Sequence, residues 1–432
     1  MDSNILSDFR ASLYGCFLKS EDVLMNLCDA LLTESAAQSF IELSLSPYFG
    51  RKWHSLYQGI QRANLDREGL QKLFAQYAPQ PEGRLVLGVD ASSIPRPLSE
   101  TARDRTYVHA SNLPKGSKPV VPGWQFSVLS VLPSAPSSWT YVLDNQRVES
   151  EKTQGEVAAR QLEALVPLLS QRALLLGDGY YGSAAFLRLT QATACDKLCR
   201  MPKNRALYRP APPPTGKRGR PRLDGAVFRC SEPDTPDATA EETDENGQKV
   251  TVDCWNNLHF QKAREVVVSV IRVTRHGAAD TERDPRTSWF VFAGEELPPL
   301  GEVPALYARR YSLEHAFRFD KQDLMWEEAR LRTPEQFGVW TDIVSCVHNE
   351  LFLAREQAAS RRDWERKEGK PSPSQVRRGM AGIIAQLDTP SRPVRLRGKS
   401  KGREKGSKYQ KATRHKTVFK GMDKPKKPTT VV

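Results

Sequence analysis

Arg84-Leu85-Val86-Leu87-Gly88-Val89-Asp90 and Ala173-Leu174-Leu175-Leu176-Gly177-Asp178 are two short apolar runs that each end in an aspartate. Apolar runs this short, with no polar residue at alternate positions, read as strands buried on both faces, as in the interior of an α/β sheet. A carboxylate at the carboxyl end of such a strand lies in the crevice where open α/β sheets hold their ligands. Taken singly, either aspartate is explained more readily as a loop opener or a helix cap.

Around these runs the pattern extends in both directions. Trp124 to Leu132 and Trp139 to Leu143 are strand-like, and Gly155 to Leu169 carries Val157, Leu162, Leu165, Val166 and Leu169 on one side of a helix. After the second aspartate run, Ala184 to Thr193 reads as a helix and the chain near Leu198 as a strand. The order β-β-β-α-β-α-β is that of a ribonuclease-H-like α/β fold. We therefore divide the chain into a helical N-terminal domain (1–82), the first part of the α/β core (83–202), an insertion (203–262), the second part of the core with C-terminal helices (263–388) and a basic tail (389–432).

The N-terminal part has Ser20 before Glu21-Asp22 and a Ser35-x-x-Gln38 capping box. A basic and aromatic helix follows from Arg51 to Arg62, suited either to DNA contact or to packing alone. In the insertion, composition shifts from Pro210–Pro214 to the basic Lys217-Arg218-Gly219-Arg220-Pro221-Arg222 and then to acidic residues. β character returns at Glu265–Val273 and Ser288–Phe292, before a long helix from about Pro304. A last helix opens on Thr333-Pro334-Glu335-Gln336 and buries Phe337, Trp340, Val344, Val347 and Leu351.

At about 150 residues per domain, 432 residues make two or three folded units, and 39% hydrophobic residues suffice for a sizeable core. The net charge of +13 sits in Ser391–Val432, where 15 Lys and Arg face only Glu404 and Asp423. The body is near neutral, and the tail reads as a disordered polyanion binder. Neither a basic-then-apolar leader nor an apolar run of roughly 18 to 20 residues is present, so a soluble, cytoplasmic protein without membrane contact is expected. The seven cysteines are scattered, with three residues between Cys195 and Cys199, and read as buried free thiols.

Tyr307, Arg310, Glu314 and Lys321 supply the third element. On a continuous helix they fall within about 60° of one another, beside an apolar stripe of Leu306, Leu313, Phe317 and Leu324. A solvated ion pair between Arg310 and Glu314 explains two of the four. The full set, Tyr-x2-Arg-x3-Glu-x6-Lys, resembles the signature of one group of DDE transposases of bacterial insertion sequences. By chance it would appear in roughly a few chains per thousand of this composition.

The resemblance covers about Arg84 to Leu387. It implies a ribonuclease-H-like catalytic core with a β-rich insertion before the glutamate-bearing helix. Asp90, Asp178 and Glu314 are then the catalytic residues and hold two Mg²⁺ ions, for which Mn²⁺ substitutes. Hard carboxylate oxygens suit such ions, and phosphoryl transfer needs what they supply. The implied activity is cutting DNA at transposon ends and joining it to target DNA, by a homodimer in the synaptic complex of a prokaryotic cell. Tyr307, Arg310 and Lys321 would contact DNA. Arg218-Gly219-Arg220 is similar to an AT-hook core and marks Arg218 and Arg220 as further DNA contacts. Trp255 or Trp289 is either core or the holder of an extruded base. The competing functions are a catalytically inactive, repurposed DNA-binding protein and a ribonuclease-H-like nuclease acting on another substrate.

Overall fold

The computed structural model describes residues 3–110, 119–213, 221–244, 247–277, 280, 286–357, 371–387, 389–394, 402, 404–408 and 411–420. Five helices open the chain: α1 (Ser3–Cys16), α2 (Glu21–Thr33), α3 (Phe40–Leu43), α4 (Trp53–Arg62) and α5 (Arg67–Gln76). Short strands β1 (Phe17–Lys19) and β2 (Asn64–Leu65) tie α1 to the α4–α5 junction. Two expected caps differ. Ser20 adopts a left-handed conformation (φ 66°) and makes no side-chain cap, and the second cap is Ser39, whose oxygen accepts from the Glu42 N–H, rather than Ser35.

The central sheet holds β3 (Leu85–Pro95), β4 (Thr106–His109), β5 (Val120–Val131), β6 (Tyr141–Val148), β7 (Ala173–Gly177) and β8 (Cys195–Met201). Helices α6 (Gln154–Leu165) and α7 (Ala184–Leu189) connect the last three. Strand β5 lies antiparallel between β3 and β6, whereas β7 is parallel to β3 and β8 to β7. The resulting order β6-β5-β3-β7-β8 fits the ribonuclease-H-like arrangement.

Beyond β8 the same sheet continues through β9 (Ala206–Tyr208), β10 (Val227–Arg229), β11 (Ala238–Thr243), β12 (Lys249–Phe260), β13 (Ala263–Arg275) and β14 (Thr287–Ala293). β14 pairs with β8, so the strands at Glu265–Val273 and Ser288–Phe292 belong to one antiparallel block with β12. That block extends past residue 262, the boundary expected from composition. Composition changes at 203 but not at 263, where the hairpin from β12 to β13 turns.

The chain then returns through α8 (Val303–Ala308) and α9 (Tyr311–Gln322), followed by α10 (Pro334–Ala354) and α11 (Pro373–Ile384). The single long helix expected from Pro304 is interrupted at Arg309-Arg310. Both keep helical dihedrals, but the N–H groups of residues 309, 310, 312 and 313 bond three residues back rather than four, which tightens the turn.

α10 is buried on every side, including Thr341, Ser345, His348, Asn349 and Glu350, which the apolar stripe did not anticipate. It lies between β6 and the N-terminal helices. Asn349 exchanges two hydrogen bonds with the Val142 main chain, and Phe40 meets Trp340 with ring centroids 4.7 Å apart. All seven cysteines are buried free thiols, and among the described residues no helix is long and apolar enough to cross a membrane.

Described parts of the tail, expected to be disordered from 389, contact the body. Asn26 donates to the Ser391 hydroxyl at 2.9 Å, Arg392 pairs with Asp22 at 3.1 Å, and Val418 bridges to Thr106. The acidic first turn of α2 and the open edge of β4 supply partners that composition does not reveal.

Arg10 joins the N-terminal helices to α10 by donating to Asp29 and Glu350, each at 2.6 Å, with all three side chains buried. Two carboxylates share one guanidinium. Burial, aided by Asp29 and opposed by Arg10, raises Glu350 to about 7. Because this exceeds its ordinary value of 4.5, the group's contribution to folding is complete below that value and is lost as pH rises through about 7. Glu350→Gln should match the parent near pH ~5 and exceed its stability by about 1 kcal/mol near pH ~8 in urea unfolding. A deficit that grows between those two pH values would contradict this account.

Candidate active site

Parallel pairing of β3 with β7 runs from Leu85 opposite Ala173 to Gly88 opposite Leu176 and stops there. Two residues further on each chain stand Asp90 and Asp178, at one level where the strands part. Strand side chains alternate faces, so Asp90 shares the face of Gly88. That face is covered by α9, since a Cβ on Gly88 would lie 2.8 Å from Leu313 Cδ1. Glu314 follows Leu313. The two aspartates and the glutamate thus collect around one crevice, at the point where the strand order reverses.

Asp90 lies within β3 rather than at its end, because β3 continues to Pro95 along β5. Its Oδ2 accepts from Arg310 Nη2 at 2.5 Å and its Oδ1 from the Ala91 N–H at 2.8 Å. Burial raises the Asp90 carboxyl to about 6, with Asp178 and Glu314 adding to the shift and Arg310 opposing it. The three acids therefore share one field. Arg310 gives Asp90 one of its donors, and its buried Nε has no hydrogen-bond partner among the described residues.

Asp178 opens a tight turn. Its Oδ1 accepts from the Tyr180 N–H, and its carbonyl accepts from Tyr181 and Gly182. Tyr307 donates to the Gly177 carbonyl at 3.3 Å and packs edge-on against Phe290, and burial lifts its hydroxyl to about 12. Lys321 donates to the Ser93 carbonyl at 2.8 Å and lies 3.6 Å from Glu327. Tyr307, Arg310 and Lys321 therefore each dock on β3 or β7 at or within three residues of an aspartate.

Helix α9 is fixed along its length. The Ser312 hydroxyl accepts from the Ser137 N–H, Asp320 meets buried His348 Nδ1 at 2.7 Å, and just beyond the helix the Asp323 carbonyl accepts from Arg377. The other ring nitrogen of His348 lies 3.0 Å from the Thr140 carbonyl. Two acceptors facing one imidazole, one of them Asp320, favour its charged form and raise its proton affinity despite burial. No sequence signal marked His348 or Asp320, because their pairing depends on how α9 crosses α10.

Three carboxylates make a hard oxygen donor set, and the negative charge of Asp178 and Glu314, which adds to the effect of burial on Asp90, is what a divalent cation would neutralise. In chemistry the residues fit such an ion. Among the described residues, however, no three His, Cys, Asp or Glu side chains are gathered closely enough to hold one as they stand. Arg310 occupies Asp90 instead.

Arg218 and Arg220 lie outside the described residues. Trp255 and Trp289 are core residues, 0% and 6% exposed, stacked 5.6 Å apart with the Arg272 guanidinium over both.

A sheet of this order, with paired aspartates at its switch point and a glutamate on the returning helix, fits the ribonuclease-H-like class of DDE folds. The chain belongs to the family of DDE superfamily endonucleases, whose sequence model matches residues 12–259. That match includes Asp90 and Asp178 and ends before Glu314. Among solved structures, the chain is similar to a piggyBac transposase in a synaptic complex with hairpin DNA, at 12% identity and a TM-score of 0.44, over 88% of this chain and 78% of that one. No curated protein matches it.

The turn after Asp178 tolerates no side chain at its last position, because a Cβ on Gly182 would lie 2.1 Å from the Arg200 carbonyl of β8. Gly182→Ala should cost roughly 2 to 3 kcal/mol in urea unfolding, since main chain rather than a flexible side chain must move. Unfolding at the parent's midpoint would show that the turn is not closed against β8.

Proposed function

We propose that this chain is an insertion-sequence transposase that cuts DNA at the ends of its element and joins the freed 3′-hydroxyls to target DNA. The observation that carries the reading is the meeting of Asp90 and Asp178 at the parting of β3 and β7, with Glu314 and Arg310 facing them. Membership of the DDE endonucleases supports DNA cleavage. The four-residue signature supports the transposase among the possible nucleases.

Asp90, Asp178 and Glu314 would hold two Mg²⁺ or Mn²⁺ ions, which supply neutralisation of phosphate charge and acidification of water when bound. The remaining roles belong to the chain's own side chains. Arg310, with a buried unpartnered Nε, is placed to donate to a non-bridging phosphate oxygen beside Asp90. Lys321 offers a second cation near Ser93, and Tyr307 buttresses the strand end that presents Asp178. The acting form in this proposal is a homodimer holding two transposon ends.

The test is nicking of a duplex carrying the inverted repeats that flank the gene. The parent should nick with Mg²⁺ or Mn²⁺ and stop with chelator. Asp90→Ala, Asp178→Ala and Glu314→Ala should each fall by at least about 10³-fold while binding the duplex as before. Full cleavage by any one variant removes that residue from the chemistry. Metal-dependent binding without cleavage by the parent would overturn the enzyme reading.

A further inference from the structure

Lys411–Lys420 leave the cationic tail and lie along the outer edge of the catalytic sheet. Val418 forms a parallel bridge with Thr106 of β4, and its N–H donates to the Arg105 carbonyl at 2.7 Å. The His415 N–H donates to the Glu100 carbonyl at 2.8 Å. Phe419 packs on Tyr107 with ring centroids 4.6 Å apart, and Lys420 Nζ donates to the Lys152 carbonyl at 3.0 Å.

Arg105 is the receptor for this segment. The residue is 3% exposed, and its guanidinium donates to the carbonyls of Ala102 and Arg96 and, at 3.0 Å, to that of His415. Without the tail, a donor of a buried cation would lose a partner, which is costly. An edge strand filled by main-chain bonding is a defined docking mode, unlike the diffuse attraction of a loose cationic tail.

Docking uses main chain and a ring and leaves most of the segment's charge free. Lys411, Arg414 and Lys416 are exposed. Arg414 has a mostly solvated pairing with Glu100, and Lys411 and Lys416 have no ion pair among the described residues. The strand that receives the segment also reaches the neighbourhood of Lys321 and Ser93, three residues along β3 from Asp90. His109 and Ala110, at its end, line a cavity of about 850 Å³ with Ser93, Arg318 and Lys321.

We propose that Lys411–Lys420 is a positioned nucleic-acid contact, in which docking on β4 holds Lys411, Arg414 and Lys416 where they grip the phosphodiester backbone of duplex DNA running to the cleft. The inference rests on the reading of the chain as a DNA-acting enzyme, but it concerns binding rather than cleavage. It replaces an unstructured polycation with an ordered strap.

Two variants of the full chain separate position from charge. Val418→Pro with Phe419→Ala removes the donated N–H and the ring and keeps every cation. Lys411→Ala, Arg414→Ala and Lys416→Ala together remove the cations and leave the docking groups. The probe is a fluorescent random-sequence duplex, titrated between about 50 and 200 mM salt, with amide exchange at His415, whose N–H is kept in both variants, reporting docking.

The charge variant should bind about tenfold more weakly at low salt, with a log–log salt slope reduced by about 0.9 for each lost phosphate contact. The docking variant should lose amide protection and at least about threefold in affinity although its charge is intact. Parent-like affinity and slope in an undocked variant, or in the charge variant, would overturn the proposal. Nicking by the parent with unchanged binding in both variants sinks the strap alone. Strap-dependent binding by a parent that never nicks sinks the enzyme reading alone.

Discussion

The contact between Arg310 and Asp90 joins residues 220 positions apart and decides where the last third of the fold must lie. A half-buried carboxylate with two other acids in its field is unfavourable unless a cation comes to it. In this chain the cation arrives on the returning helices, after the whole β9–β14 block. The same contact brings Glu314 to the crevice. The parting of β3 and β7 would otherwise be an acidic gap with nothing opposite it.

The seating of α9 makes that contact possible, and it is built from packing as well as charge. Leu313 occupies the space left by the missing side chain of Gly88, so the helix lies close against the strand. Asp320 and His348 anchor its far end to α10. α10 is in turn clamped by Asn349 on β6 and by Glu350 on Arg10 of α1. The N-terminal helices therefore support the site mechanically, through one continuous core, while being distant from it in sequence.

The three basic and aromatic signature residues rest on the protein's own acceptors: a carboxylate, two main-chain carbonyls and, near Lys321, Glu327. A phosphate backbone offers the same groups stronger, charged acceptors. Arrangement on internal acceptors keeps these side chains oriented, although the Arg310 Nε is left without a partner among the described residues. The strap on β4 follows the same logic at the sheet's edge, with main chain used for placement and charge left outward.

Much of this was legible from local pattern. The apolar runs ending in Asp90 and Asp178, the strand and helix order of the core, and the spacing of Tyr307, Arg310, Glu314 and Lys321 are properties of short segments, where periodicity and residue chemistry suffice. The tightened turn at Arg309-Arg310, the extension of the antiparallel block to Ala293, the burial of the polar residues of α10 and the pairing of Asp320 with His348 were not. Each depends on which surfaces meet, and that depends on long-range contacts rather than on neighbours in the chain. By itself the sequence determined which acids and cations are present and which elements carry them. Only the tertiary structure decided that β3 and β7 part just before their aspartates and that Arg310 stands on Asp90, because side chains separated by hundreds of residues acquire a mutual distance only when the chain is packed.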